Sequence, residues 1–164
     1  MKIGILSDTH LSGPSERFQE LTALCFSDCP VILHAGDLTD ISVLSAFGQQ
    51  RTVHAVHGNM CLPSSVSALP REIVVTIDSF TFGLSHGREY RHKVEENLIN
   101  HFPQVDCIVS GHTHQPLVKK MFATLFVNPG SFTGTGPYGA PGTFAIIDTN
   151  GGTLSAKIFE VPRL

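Results

Sequence analysis

Short apolar runs alternate with helical stripes through the first half of the chain. Lys2–Ser7, Val31–His34 and Thr52–His57 are dense in aliphatic residues and read as strands. Between the first two, Pro14-Ser15 opens a helix that sets Phe18, Leu21, Leu24 and Cys25 on one stripe. Asp40 caps a second, short helix through Val43, Leu44 and Phe47. This alternation predicts βαβ units with largely parallel pairing, the helices covering the sheet.

The pattern changes in the second half. Glu72–Ile77 and Phe80–Ser85 are separated only by Asp78-Ser79, which predicts a hairpin rather than a crossover. A helix is expected from about Arg91 to His101, stopped by Pro103, before a buried-type strand at Cys107–Ser110. Leu117–Met121, Thr124–Val127, Thr143–Asp148 and Thr153–Val161 then read as strands, the last two joined by the turn Thr149-Asn150-Gly151-Gly152. So many strands on so few residues predict an α/β fold of two stacked sheets flanked by helices. The Gly- and Pro-rich segment from Asn128-Pro129-Gly130-Ser131 to Pro141-Gly142 joins two strands and reads as a loop, either near the site or purely structural.

A chain of 164 residues suits one domain over residues 1–164. The net charge of −3, with scattered lysines and arginines, offers no electrostatic footprint for a polynucleotide or an anionic membrane. No apolar run is long enough for a signal core or a membrane span, so a cytoplasmic location is expected. The four cysteines, Cys25, Cys29, Cys61 and Cys107, then read as reduced thiols; Cys25 and Cys29 lack the second pair that a structural zinc site needs.

The chemistry collects where strands end. Asp8 and His10 follow the first strand and can reach one point in space, or serve as ordinary strand-end polar residues. Gly36 permits a tight exit before Asp37, whose carboxylate can offer one oxygen to each of two ions. Asn59, after Gly58, supplies a neutral amide oxygen and an NH2 donor that could reach a substrate phosphoryl oxygen. His86 ends another strand before Gly87, and His112 and His114 stand two apart in Gly111-His112-Thr113-His114, so their imidazoles diverge toward different ions. Imidazole, carboxylate and amide oxygen without thiolate favour borderline or hard divalent ions, Mn first, with Ni, Zn, Fe or Co as the others.

Asp-x-His, Gly-Asp, Gly-Asn, His-Gly and Gly-His-Thr-His, in that order from Lys2 to about Asp148, resemble the calcineurin-like metallophosphoesterases. The length and the Asn128-Pro129-Gly130-Ser131 segment resemble their small bacterial and archaeal phosphodiesterase branch, which also includes the retromer scaffold subunit. The resemblance implies a four-layer α-β-β-α sandwich of two mixed sheets. It implies Asp8, His10, Asp37 and His114 around one ion, and Asp37, Asn59, His86 and His112 around a second. It implies a phosphodiesterase that hydrolyses a small organic phosphodiester with hydroxide generated between the two ions, which stand about 3.5–4 Å apart in such sites.

The chain departs from that family at Met60, where larger members carry a histidine that protonates the leaving alkoxide. A thioether donates no proton, so good leaving groups are expected to be preferred. The aspartate usual near Gly58-Asn59-Met60-Cys61 is missing, and the Gly-rich loop has Pro137-Tyr138 rather than a Pro-Arg pair. Cys61 reads as a buried small residue rather than a thiolate ligand. Of the nine histidines, His34 reads as a core or supporting residue, His57 as able to approach the site, His54 as facing core or solvent, and His92 and His101 as surface positions. A phosphomonoesterase or nuclease using the same site, or a non-catalytic scaffold on the same fold, are the alternatives. The edge strand Thr153–Val161 could pair two copies into a homo-oligomer.

Overall fold

The inward-facing residues of ten strands decide the architecture. The computed structural model describes residues 1–90, 92–134 and 139–163, and its strands form two five-stranded sheets. One contains β1 (Lys2–Leu6), β2 (Val31–His34), β3 (Thr52–Ala55), β9 (Thr143–Asp148) and β10 (Ser155–Glu160), in the order β10-β9-β1-β2-β3. The other contains β4 (Glu72–Ile77), β5 (Phe80–Ser85), β6 (Cys107–Val109), β7 (Leu117–Met121) and β8 (Thr124–Asn128), in the order β4-β5-β6-β8-β7. The βαβ half is parallel, β1 to β2 and β2 to β3, whereas β9 and β10 return antiparallel. Both sheets are therefore mixed.

Strand alternation sorts side chains into layers. Ile3, Ile5 and Leu33 of the first sheet meet Phe82, Leu84, Val109 and Val127 of the second in one buried cluster between the sheets. The outer face of the first sheet packs on Phe18 and Leu21 of α1 (Glu16–Cys25), and the outer face of the second, through Ile108 and Phe126, packs on Leu98 of α3 (Val94–His101). The result is the four-layer helix–sheet–sheet–helix sandwich. Gly4 belongs to this logic: a Cβ there would stand 2.5 Å from the Phe26 ring, so only glycine lets the aromatic layer close on β1. Phe26 also stacks with Phe132 and meets Phe144 edge-on, which anchors the loop after β8 to the core.

Several elements differ from the sequence expectation in instructive ways. The α1 helix is capped by Ser15, which accepts from the Phe18 amide, but Leu24 is exposed and Thr22 fills the buried stripe instead. The helix capped by Asp40 is a 3-10 helix, Ile41–Phe47. A further helix, α2 (Pro63–Ala68), was not legible because Ser64, Ser65 and Ser67 break its apolar stripe. It is held by a polar contact, since buried Ser65 Oγ donates to Thr39 O at 3.0 Å and accepts from Ile41 N at 2.9 Å. Strand β3 ends at Ala55, because the His57 amide turns to Pro70 O. Helix α3 starts at Val94, after Lys93 in a left-handed conformation; the expected start, Arg91, lies outside the described residues. The hairpin turn Asp78-Ser79 has φ of 49° and 71°, the pairing of left-handed residues that a two-residue type I′ turn requires.

Candidate metal centre

Strand exits bring the polar residues together at one end of the sandwich, and they do so through strained backbone. Asp8, His10, Asp37, His112 and His114 have φ of 55°, 50°, 52°, 68° and 56°. Each such conformation costs an L-residue roughly 1–2 kcal/mol, a cost that persists only where surrounding contacts fix it. Here they do. Asp8 N donates to Gly36 O and His10 N to Asp37 O, both at 3.0 Å, zipping the first two exits together. His112 N donates to Asp8 Oδ2 at 3.1 Å, tying the third exit to the first.

Two groups of side chains result. Asp8, His10 and His114 form one: His114 Nε2 is 3.1 Å from Asp8 Oδ1, and His10 Nε2 is 3.8 Å from the same oxygen. Asp37, His86 and His112 form the other, with His86 and His112 rings 5.1 Å apart and edge-on. Within each group one ligand atom per residue lies within 4.8 Å of the others, close enough to share an ion. His112 and His114 thus fall in different groups, as alternate residues of a turning chain do. Asn59 is exposed and sits between Gly58, packed directly on the Asp37 carboxylate, and Met60, whose amide donates to Asp37 Oδ1 at 2.7 Å.

Electrostatics fit a cation in this cradle. Buried His86 donates from Nδ1 to Ala35 O at 2.8 Å, which fixes the tautomer and leaves the Nε2 lone pair facing the second group. Nε2 lies 3.2 Å from Asp37 Oδ2, yet no hydrogen bond is aligned to it from any described residue. Burial opposes protonation of His86, but Asp37 and Asp8 outweigh it and raise its pKa, so the pocket favours positive charge at that nitrogen. Burial pushes the Asp37 carboxyl up, while His86 and the Met60 amide pull it further down, to a net lowered pKa. Burial, then the neighbouring His86, lowers the pKa of His112 and keeps it in the neutral form a ligand needs. Glycine is required on both sides of the cradle: a Cβ at Gly58 would lie 2.1 Å from Asp37 Oδ1, and one at Gly111 2.0 Å from Ser7 Oγ.

The family model of the calcineurin-like phosphoesterase superfamily domain matches residues 1–152. The chain belongs to this superfamily. A probable metallophosphoesterase of Methanothermobacter thermautotrophicus is 36% identical over 135 residues, spanning 81% of this chain and 78% of that protein. A phosphodiesterase of Methanocaldococcus jannaschii is 30% identical over 161 residues, spanning 91% and 93% respectively. Among solved structures, Vps29 of Chaetomium thermophilum shares the fold, with a TM-score of 0.75 at 19% identity over 99% of this chain and 100% of that one.

Around the two groups stands a supporting layer of the phosphoesterase fold, most of which the sequence did not single out. Ser7 Oγ donates to Asp8 Oδ2. Asn128 Nδ2 donates to Gly111 O and to Thr113 Oγ1, while its Oδ1 accepts from Gly130 N, so one amide pins the His112–His114 turn. Ser131 and Thr133 both donate to Asp8 O, which brings the first part of the Gly-rich loop under the site; Pro137 and Tyr138 lie outside the described residues. His34 is buried beneath, accepting from Gly36 N through Nδ1 and facing Thr9 Oγ1 with Nε2 at 3.2 Å. Cys61 is half-buried and accepts from Gly58 N, a role in shaping the Gly58-Asn59 turn. Among the described residues, His57 Nδ1 meets Gly58 O, and His101 pairs with Glu72 on the surface.

Proposed function

We propose that this chain is a metal-dependent phosphodiesterase for small organic phosphodiesters. Asp8, His10, Asp37 and His114 hold one divalent ion, and Asp37, Asn59, His86 and His112 hold the second, with Mn the first choice of metal. The observation that carries this reading is the buried convergence of Asp37 Oδ2 and His86 Nε2 without a hydrogen bond between them, beside a second carboxylate–imidazole group. Two divalent ions so held would polarise the phosphoryl oxygens and supply a hydroxide nucleophile at neutral pH.

The chain's own residues do the rest. Asp37 is acidic enough to stay ionised throughout the neutral range, and His86 is fixed in the tautomer that presents Nε2. The exposed amide of Asn59 can donate to a non-bridging phosphoryl oxygen and so orient the diester. Met60 is exposed beside it and carries no proton to give, so the leaving alkoxide takes its proton from solvent. The 30% identical phosphodiesterase, aligned over nearly the whole chain, supports diester over monoester chemistry.

A substrate panel at fixed leaving group tests this reading. Hydrolysis of p-nitrophenyl ethyl phosphate with kcat/KM well above that of p-nitrophenyl phosphate is the expected result. Monoester preference, or cleavage of polynucleotides alone, would overturn it.

A further inference from the structure

At the rim of the candidate metal centre, one carboxylate serves two guanidiniums. Arg71 Nη2 lies 2.9 Å from Glu89 Oε1, and Arg88 Nε donates to the same oxygen at 3.3 Å. No other carboxylate among the described residues reaches ion-pair distance of either arginine. Glu72, next to Arg71 in the chain, is held instead by His101 at 2.8 Å, and Glu96 by Lys93 at 3.3 Å. Two positive charges against one negative leave this trio with a local excess of positive charge, in a chain whose net charge is −3.

Topology sets the trio beside the second ligand group. Glu72 pairs with Ser85, so the antiparallel register of β4 and β5 carries Arg71 to the level of His86. Strand alternation puts Arg71 on the face of Ile73, the face turned toward the first sheet. There Pro70 O accepts from His57 N at 2.9 Å, which ties the start of β4 to the β3 exit that carries Gly58 and Asn59. Arg88 and Glu89 are the middle residues of a turn closed by Tyr90 N on Gly87 O, directly after His86. The trio thus spans the two exits that carry Asn59 and His86.

Both guanidiniums are open to a ligand. The Arg71 and Arg88 side chains are 57% and 48% exposed, against 24% for the Glu89 side chain between them. A guanidinium presents five N–H donors in a planar fork, and Arg88 engages Glu89 through Nε alone. Its two terminal nitrogens, which can meet an oxyanion together, donate to no described residue. Arg91, three positions further along, lies outside the described residues, and its charge has the same sign.

We propose that Arg71 and Arg88 form a subsite for a second oxyanion, a carboxylate or phosphate carried on the non-reacting arm of the diester, and that Glu89 is the counter-ion that keeps the two forks side by side. The inference rests on the phosphodiesterase reading above and narrows its substrate class to diesters with an anionic arm. The metal ions would neutralise the reacting phosphoryl group, so the excess positive charge at the rim is left for the second anion.

Calorimetric titration of the full chain in Mn²⁺ tests it, comparing ethyl 2-carboxyethyl phosphate and ethyl 2-phosphonoethyl phosphate with their neutral counterpart, ethyl 2-carbamoylethyl phosphate. At least one anionic arm should bind about three- to tenfold more tightly than the amide, the return expected of charged hydrogen bonds at an exposed rim. Added salt should narrow that advantage. Arg71→Gln and Arg88→Gln should each reduce it and together erase it, whereas Glu89→Gln, which removes the competing carboxylate, should widen it. Affinity for the amide is the reference in every variant, so a damaged fold is not mistaken for a lost subsite. Equal affinities for all three diesters, no binding of any, a narrower advantage in Glu89→Gln, or an advantage that survives the double substitution, as it would if Arg91 or the metal ions alone carried it, would each overturn the subsite. Turnover of p-nitrophenyl ethyl phosphate, measured alongside, reports on the phosphodiesterase reading separately, because the affinity comparison requires no hydrolysis.

Discussion

His86 Nε2 and Asp37 Oδ2 face each other at 3.2 Å inside the protein with no hydrogen bond aligned between them. Two buried ligand atoms held this way are placed to share one ion. Asp37→Asn or His86→Ala should therefore lower the bound metal from two ions to one per chain by elemental analysis, and reduce phosphodiester hydrolysis by at least about 10²-fold. Retention of two tightly bound ions by His86→Ala would remove His86 from the ligand set.

Gly111 is needed for contact rather than flexibility. Its missing Cβ leaves room for Ser7 Oγ, and a methyl group there would also stand 2.8 Å from Asp8 Oδ2. Gly111→Ala should destabilise the fold by about 1–3 kcal/mol and weaken metal binding at the Asp8 group, because the carboxylate must shift to admit it. Unchanged midpoints in urea unfolding and unchanged metal affinity would show that the turn yields instead.

Buried His34 makes stability depend on pH. Burial lowers its pKa from 6.5 to about 4, so it stays neutral in the folded chain while the unfolded chain takes up the proton. Its contribution is complete above pH 6.5 and is lost as the pH falls toward 4, amounting to about 3 kcal/mol over that window. In urea unfolding, His34→Gln should flatten the loss of stability between those pH values, although it starts from a less stable protein at pH 7. Parallel pH profiles for the two proteins would contradict the assignment.

Met60 stands beside Asn59 with its side chain in solvent while its amide holds Asp37. Substituting histidine keeps that amide and adds a proton donor. Met60→His should raise kcat for alkyl leaving groups by about 10- to 100-fold and leave p-nitrophenyl esters nearly unchanged, since only poor leaving groups need protonation. An equal effect on both would argue against a missing general acid.

Much of the architecture was legible because burial writes period-two and helical patterns into the chain. The sheets, the Asp78-Ser79 hairpin and α1 follow from such patterns, and the strand-end motifs carried the family. What was hidden had no such imprint. Helix α2 is held by the Ser65 hydroxyl rather than by an apolar stripe, and Leu24 yields the buried face to Thr22, a swap that helical spacing alone does not resolve. The left-handed backbone of Asp8, His10, Asp37, His112 and His114 could not be read from non-glycine residues, nor could the reach of Asn128 to Gly111 and Thr113 across the β8 end. Met60 shows the opposite case: the family resemblance singled out its position, and its amide is found donating to Asp37 Oδ1.

The most direct test is hydrolysis of p-nitrophenyl ethyl phosphate by protein stripped with chelator and titrated with Mn²⁺, with Asp37→Asn and His112→Ala as controls. Turnover that appears as the second ion binds, and that both substitutions abolish, is the predicted result. Two ions bound per chain with no turnover in Mn²⁺, Ni²⁺, Zn²⁺ or Co²⁺, or turnover that survives Asp37→Asn, would contradict it.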